Sequence, residues 1–334
     1  MSPGARRALA RGSLAALGLA LVVYLIRDAG PDRVAAVLWQ AGAWLPLILA
    51  LEAFQLGSDY VALRLILGER AARVPAATWV RSCAIAYAMM ILVPAGRAAG
   101  EVTRATFLSR YIGGAPRAAA VGTQFQAAYL SANGILSAVG CAVVASRFGL
   151  RSPLALLLAG NVLAQAAISA GLIGILWDAR VGRWLDRMRR RFVRGAAESP
   201  PLDREARRHL PWKAAVVSSV SRAAQVVQYG IVLHAVGGVA TVRNAFVTHG
   251  IHLVGATLGD MMPNQLGVVD GMYRAFADDV GFGDAPARAL SIAFVIRIAQ
   301  LTLAGACVVV AAAMRHAASP GGASPASADA DARS

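Results

Sequence analysis

Long apolar blocks that recur along almost the whole chain are the feature that most constrains its fold. Hydrophobic residues make up 57% of the 334 residues and charged residues only 15%, whereas a soluble domain carries about 25% charged residues. Backbone amides inside a bilayer find no water and must hydrogen-bond within their own segment, so such blocks form helices. The sequence therefore predicts an all-α integral membrane protein with about 6–8 transmembrane helices.

The positions of the basic residues predict how the chain lies in the membrane. The net charge is +15, but the arginines lie mostly between apolar blocks, without the aromatic-and-basic grooves of single-strand nucleic-acid binders. The loop 178–213 is the most basic stretch, and the positive-inside rule places it in the cytoplasm. Arg6, Arg7 and Arg11 precede the first apolar block. We therefore expect a cytoplasmic N-terminus and no nucleic-acid partner.

One uncommon pattern occurs twice, once in each half of the chain. A carboxylate follows a proline by seven residues, an arginine follows three or four residues later, and a Gly/Pro break ends the segment. The first copy contains Pro94, Gly96, Arg97, Gly100, Glu101 and Arg104, and the second contains Pro263, Gly267, Asp270, Gly271 and Arg274. Paired interruptions at corresponding positions of two hydrophobic halves indicate the binding site of a transporter.

The repeat divides the chain into two membrane units. The first covers 1–177 with a hairpin around 78–117, the second covers 214–316 with a hairpin around 242–287, and the tail 317–334 has a disordered composition. Five apolar blocks separate the N-terminus from the basic loop, yet two cytoplasmic ends require an even number of crossings. We therefore predict two re-entrant hairpins that enter from opposite faces as an inverted repeat. Eight plain spans with a parallel repeat are the alternative.

The charged residues of the two motifs are the candidate substrate-binding groups. Their spacing places Arg97, Glu101 and Arg104 on one helix face, and Asp270 and Arg274 on another. Ionisable groups at membrane depth are costly, so they face a cavity, pair with each other or meet a charged substrate. A half-helix that begins near each proline directs positive amides at an anion, and arginine adds a forked phosphate clamp. An anionic lipid headgroup fits this set, and structural ion pairs are the plainer alternative.

Several other polar residues within apolar blocks are weaker candidates. Glu52 and Asp59 either line the cavity or mark the ends of the second span, and Arg222 and Arg297 are either snorkelling residues or phosphate contacts. His249 and His252 have the spacing of two metal ligands, but no third ligand lies nearby in the sequence, which favours pore-lining or interfacial histidines. We therefore predict no metal site, no cofactor and no catalytic residue.

At these motifs the chain resembles the flippase-like membrane domain of lysylphosphatidylglycerol synthases, which also occurs as stand-alone proteins of about this length. That family has a Pro-Gly-x-x-Gly-Gly-Glu-x-x-Arg segment before an aromatic residue and a glycine, a later Pro-x-x-x-Gly-x-x-Glu-Gly segment, and an arginine in the last span. The matching residues here are Pro94, Gly96, Gly100, Glu101, Arg104, Tyr111 and Gly113, then Pro263, Gly267, Asp270, Gly271 and Arg297. Two departures bear on the substrate: Asp270 replaces the usual glutamate, and Gln124 and Gln126 stand where relatives often carry an acidic–Arg pair.

The resemblance implies a flippase of the bacterial inner membrane that moves an anionic phospholipid or an isoprenoid-linked lipid between leaflets. It also implies that Arg297 belongs to the substrate-binding set. No aminoacyl-transferase domain follows the last span, so we do not expect aminoacyl transfer by this chain alone. A membrane enzyme for glycosyl or phosphoryl transfer to a lipid carrier, and an accessory subunit that acts with envelope lipid-synthesis enzymes, stay open. Short outer loops without a nucleophile–base set favour the transporter.

Overall fold

A computed structural model describes residues 3–93, 96–177 and 211–317, and every regular element within these ranges is helical. The long helices are α1 (Pro3–Ala29), α3 (Leu45–Leu67), α6 (Ala115–Phe148), α7 (Pro153–Trp177), α8 (Trp212–Ala235) and α11 (Pro286–Ala317). The shorter helices are α2 (Pro31–Ala41), α4 (Ala76–Leu92), α5 (Gly96–Ile112), α9 (Val242–Leu258) and α10 (Val268–Ala275). Pro94, most of the basic loop and the tail from 318 onwards lie outside the described residues.

The surface of the helices is apolar, as expected of a protein that faces lipid. Four stretches of the described chain are long and apolar enough to cross a membrane: Pro31–Arg73, Ala115–Phe148, Pro153–Leu176 and Pro286–Met314. Leu163 is 70% exposed and Val309 68% exposed, whereas Ala132 and Ala299 are fully buried between helices. Large apolar side chains outside and small ones at the helix contacts are typical of membrane bundles. The predicted class, an all-α integral membrane protein, is confirmed.

The first motif forms a tight helical hairpin, which we call hairpin 1 (α4 and α5). The two helices pack closely against each other. A Cβ atom on Gly100 would lie 2.6 Å from the carbonyl oxygen of Ala86, and one on Gly96 would overlap the carbonyl group of Met90. Only glycine permits such an approach of helix α5 to the backbone of α4.

The second motif forms a looser hairpin, which we call hairpin 2 (α9 and α10). Its tip contains the 3₁₀ turn Pro263–Gln265, in which Asn264 has φ 45° and Gln265 has φ 54°. A positive φ is uncommon outside glycine and marks a strained backbone that the surrounding packing must hold. Tyr273 of α10 is fully buried in the largest apolar core and donates its hydroxyl to the carbonyl oxygen of Thr248 over 3.0 Å.

The bases of the two hairpins lie at opposite ends of α6. Helix α6 begins at Ala115, directly after α5 ends at Ile112. Near its other end, Arg147 donates a hydrogen bond to Asn244 in the first turn of α9. Helix α4 meanwhile contacts the 3₁₀ turn at the tip of hairpin 2. The two hairpins therefore extend towards each other, and their tips meet inside the bundle.

Candidate functional site

A cavity of about 260 Å³ lies where the tips of the two hairpins meet. Gly96 and Arg97 of hairpin 1 line it, and so do Asp260, Asn264 and Gln265 of hairpin 2. Residues of α3, α6, α7, α8 and α11 close its sides. Both halves of the chain therefore build the cavity together.

Two arginines flank the ring of Tyr129 in the cavity wall. The guanidinium carbon of Arg97 lies 4.5 Å and that of Arg222 4.8 Å from the ring centroid. Arg222 also donates to Gln225 Oε1 over 2.7 Å, and its Nε atom has no partner among the described residues. The ring stabilises both cations. Such a pair suits an anion with several oxygen atoms, because guanidinium groups donate in a fixed fork.

Three carboxylates line the same cavity: Glu52, Asp59 and Asp260. Glu52 is 5% exposed, and it accepts hydrogen bonds from Tyr87 Oη and from Gln228 Nε2, each over 3.0 Å. These donors fix the Glu52 side chain in place. The cavity thus contains charges of both signs, with three carboxylates and two arginines in its wall.

The charged residues of hairpin 1 divide between the cavity and the adjoining helices. Arg97 lines the cavity, whereas Glu101 and Arg104 do not. Glu101 accepts from Arg104 Nη1 over 2.9 Å within α5. The guanidinium carbon of Arg104 lies 4.8 Å from the ring centroid of Phe125 in α6. Arg104 thus connects this ion pair of α5 to α6, at a position outside the cavity.

Asp270 of hairpin 2 binds Arg297 and not Arg274, contrary to the expected pair. Its two carboxylate oxygens accept from Arg297 Nη1 and Nη2, each over 2.9 Å, and Oδ2 also accepts from the Gly267 amide over 2.8 Å. Arg274 Nε lies 3.3 Å from Asp28 Oδ2, where both side chains are about two-fifths exposed. The carboxylate caps the start of α10 and so turns away from Arg274. Asp270, Arg274 and Arg297 do not line the cavity.

The glycines of hairpin 2 also have different roles. Gly267 has φ 80°, and a Cβ atom on it would lie 2.9 Å from the carbonyl oxygen of Gly18 in α1. A Cβ atom on Gly271 would meet nothing within 4 Å. Close backbone approach therefore requires glycine at Gly267 but not at Gly271.

The two candidate histidines take part in ring and amide contacts. The Nε2 atom of His249 lies 3.2 Å from Gln225 Oε1, and the ring centroid of His252 lies 4.9 Å from that of Tyr229. Within the ranges that the structure describes, no group of three or more His, Cys, Asp or Glu could hold a metal ion. His252 lines the cavity and His249 does not.

Side-chain amides form a part of the cavity wall that sequence reasoning missed. They come from five helices and from the tip of hairpin 2: Gln55, Asn133, Gln165, Gln225, Asn264, Gln265 and Gln300. The candidates from the sequence were charged residues and histidines, and none of these amides was among them. Amides within apolar blocks were the available signal, because a polar group at membrane depth is also costly unless it finds a partner.

A protein-family model matches the part of the chain that contains the cavity and both hairpins. The family model described as "Lysylphosphatidylglycerol synthase TM region" matches residues 11–307, which include all the cavity-lining residues. No curated protein and no solved structure matches the chain. The match covers well over half of the chain, and the helical membrane fold agrees with it. The chain therefore belongs to the family of the lysylphosphatidylglycerol synthase transmembrane region.

Proposed function

We propose that the protein is a lipid transporter that moves the phosphate-bearing headgroup of a lipid through the cavity between leaflets. The observation that carries the proposal is the meeting of both hairpin tips around a cavity that contains Arg97 and Arg222. Charge-assisted hydrogen bonds from arginine suit a phosphate group. The apolar outer faces of the helices offer a path for acyl or isoprenoid chains in the surrounding lipid.

The directions of the helices support an inverted arrangement of the two hairpins. Helices α6 and α7 run antiparallel, since Asn161 bonds to Ser137 and Ser169 to Ser131. The end of α7 therefore lies near the base of hairpin 1, and so does the start of α8, where Ala214 shares an apolar cluster with hairpin 1. The basic stretch joins these two ends. We place this end of the bundle in the cytoplasm and the base of hairpin 2 at the outer face.

The charges of the cavity suggest how a headgroup enters and leaves. Without substrate, Glu52, Asp59 and Asp260 offset the charge of the two arginines. An entering phosphate accepts hydrogen bonds from Arg97 and Arg222, which contact the Tyr129 ring in the substrate-free cavity. Because the tips of both hairpins line the cavity, separation of the tips opens a route for the headgroup. No covalent step is needed.

The proposal is tested by transport of a fluorescent phosphatidylglycerol in reconstituted vesicles. A membrane-impermeant reductant quenches the outer leaflet, and the further decay of fluorescence reports lipid that crosses from the inner leaflet. We expect Arg97→Gln and Arg222→Gln to slow crossing at least about tenfold, because charge-assisted hydrogen bonds are lost. Crossing in vesicles with the wild-type protein that is no faster than in protein-free vesicles would overturn the proposal.

Arg110→Gln is the matched control, because Arg110 lies on the same helix as Arg97 but is exposed outside the cavity. Its crossing rate should equal that of the wild type. Mass spectrometry of the recovered lipid should also show an unchanged chemical structure. A modified lipid would favour the membrane-enzyme alternative instead.

A further inference from the structure

We infer that the headgroup held in the cavity carries several hydroxyl groups beside its phosphate, as a sugar phosphate or polyol phosphate does. The inference rests on the proposed function, because it names the chemical class that the same cavity accepts. It follows from buried amide groups that a phosphate alone cannot satisfy.

Two amide oxygens in the cavity wall lack a hydrogen-bond donor. Asn133 of α6 and Gln165 of α7 are each 5% exposed, and both line the cavity. Neither Asn133 Oδ1 nor Gln165 Oε1 has a partner among the described residues. A buried acceptor without a donor destabilises the protein. Phosphate oxygens at neutral pH mainly accept hydrogen bonds, so a bound phosphate would leave both oxygens unsatisfied.

An unpartnered donor lies in the same cavity. Asn264 at the tip of hairpin 2 has a buried Nδ2 atom that bonds to no described residue. An ammonium group donates but cannot accept, so in a ligand whose phosphate is held at Arg97 and Arg222 it would satisfy the two oxygens and leave this donor unpaired. A hydroxyl group donates and accepts at once. Several hydroxyl groups therefore satisfy all three amides, in either orientation of each amide.

The amides lie beside the arginine pair. Asn133 follows Tyr129 by four residues in α6, which places both side chains on one helix face. Tyr129 is the residue that Arg97 and Arg222 flank. A ligand with a phosphate at the arginines would thus hold its hydroxyl groups one helical turn further along. At about 260 Å³ the cavity is smaller than the roughly 300–1,000 Å³ of drug-sized pockets, which suits one headgroup.

Binding to the protein in nanodiscs tests the inference with three lipids of different headgroup chemistry. Phosphatidylinositol offers a ring of hydroxyl groups, phosphatidylethanolamine an ammonium group, and phosphatidic acid the phosphate alone. We expect phosphatidylinositol to bind at least about tenfold more tightly than either of the others, since several buried hydrogen bonds are gained. Equal affinity for phosphatidylinositol and phosphatidylethanolamine would overturn the inference.

Two variants and a matched control assign the selectivity to the amides. Asn133→Ala and Gln165→Ala should each weaken phosphatidylinositol binding about fivefold and leave phosphatidic acid binding unchanged. Gln40→Ala removes an amide from an exposed position on α2, and it should change neither affinity. Equal losses for both lipids in the Asn133 and Gln165 variants would mean a structural role and would also overturn the inference.

Soluble inositol 1-phosphate distinguishes a lipid headgroup from a free sugar phosphate. Failure to displace phosphatidylinositol assigns the hydroxyl-rich ligand to the lipid. Displacement of phosphatidylinositol by an equal concentration of inositol 1-phosphate supports the same headgroup chemistry and identifies the ligand as a soluble sugar phosphate. Selective binding without lipid crossing would refute transport alone, whereas equal crossing of all three lipids without selective binding would refute this inference alone.

Discussion

In hairpin 1 both residues of the ion pair lie in one helix, whereas in hairpin 2 the carboxylate pairs with an arginine of a helix outside the hairpin. Glu101 and Arg104 lie one turn apart in α5, and the Glu101 side chain is 21% exposed. Asp270 is fully buried and forms two hydrogen bonds with Arg297 of α11. The same sequence pattern thus gives a local pair in one half of the chain and a long-range tie in the other.

The difference shows how each hairpin is held in the bundle. Hairpin 1 relies on the contact of its own two helices, in which Gly100 lets the backbones approach. Hairpin 2 has a short second helix, α10, which Asp270 fixes both at its N-terminal cap and to the last long helix. Changes to charge should therefore affect hairpin 2 most, and changes to volume should affect hairpin 1 most.

Loss of the Asp270 charge should have the largest effect on stability. Asp270→Asn removes a fully buried carboxylate and leaves Arg297, whose side chain is 12% exposed, without a counter-charge; breaking one side of a buried pair costs about 3–5 kcal/mol. Glu101→Gln keeps an acceptor for the buried Arg104 and replaces a carboxylate that is 21% exposed, so it should cost less, about 1–2 kcal/mol. The unfolding temperatures of the two variants in one detergent measure the difference.

The double variant Asp270→Asn/Arg297→Gln controls for the uncompensated charge. We expect it to be more stable than Asp270→Asn alone, since neither of its amides carries a buried charge. Equal unfolding temperatures for Asp270→Asn and Glu101→Gln would show that the two hairpins do not differ in this respect.

An added methyl group should destabilise hairpin 1 more than hairpin 2, which is the reverse of the order expected for the loss of a charge. The new Cβ atom of Gly100→Ala would lie 2.6 Å from the Ala86 carbonyl oxygen, so the helices must separate, at a typical cost of about 1–3 kcal/mol for overpacking. Gly271→Ala places its methyl group in open space and gains helix propensity, up to about 1 kcal/mol. If Gly100→Ala unfolds at the wild-type temperature, the close approach of α4 and α5 is not needed for stability.

The sequence could predict the helices of this comparison but not the partners of their charges. Apolar blocks must be helical in lipid, and the two motifs mark where helical hairpins lie. Spacing alone paired Asp270 with Arg274, because it cannot show that a carboxylate near a helix start turns back to cap it. The partner Arg297 lies 27 residues away in sequence, and only the packing of α10 on α11 brings the two together.

The residues of the cavity wall could also be predicted only in part from the sequence. Arg97 is in the first motif, and Glu52, Asp59 and Arg222 are charged groups within apolar blocks, so sequence reasoning could single them out. Asn133 and Gln165 are neutral, and each lies in a helix that is rich in small and apolar residues and carries other neutral polar residues as well. Whether such an amide faces lipid, a neighbouring helix or a cavity depends on how α6 and α7 pack, which periodicity does not determine.

The smallest expected effect on stability concerns the bases of the hairpins. Asp279 lies at the base of hairpin 2, and Arg110 lies at the base of hairpin 1. Burial, and then the neighbouring Asp278, raises the pKa of Asp279 in the loop after hairpin 2, and Arg147 opposes the shift. A raised pKa in the folded protein means that stability falls as the pH rises above the ordinary aspartate pKa of about 3.9. Asp279→Asn removes this loss, so the variant should exceed the wild type by less than about 1 kcal/mol at pH 7, because solvent screens the site. The gain should shrink towards zero near pH 3, where both forms are uncharged. At the base of hairpin 1, Arg110→Gln removes no carboxylate and should show no such dependence between pH 4 and 7. A pH-independent gain for Asp279→Asn would contradict the difference between the bases.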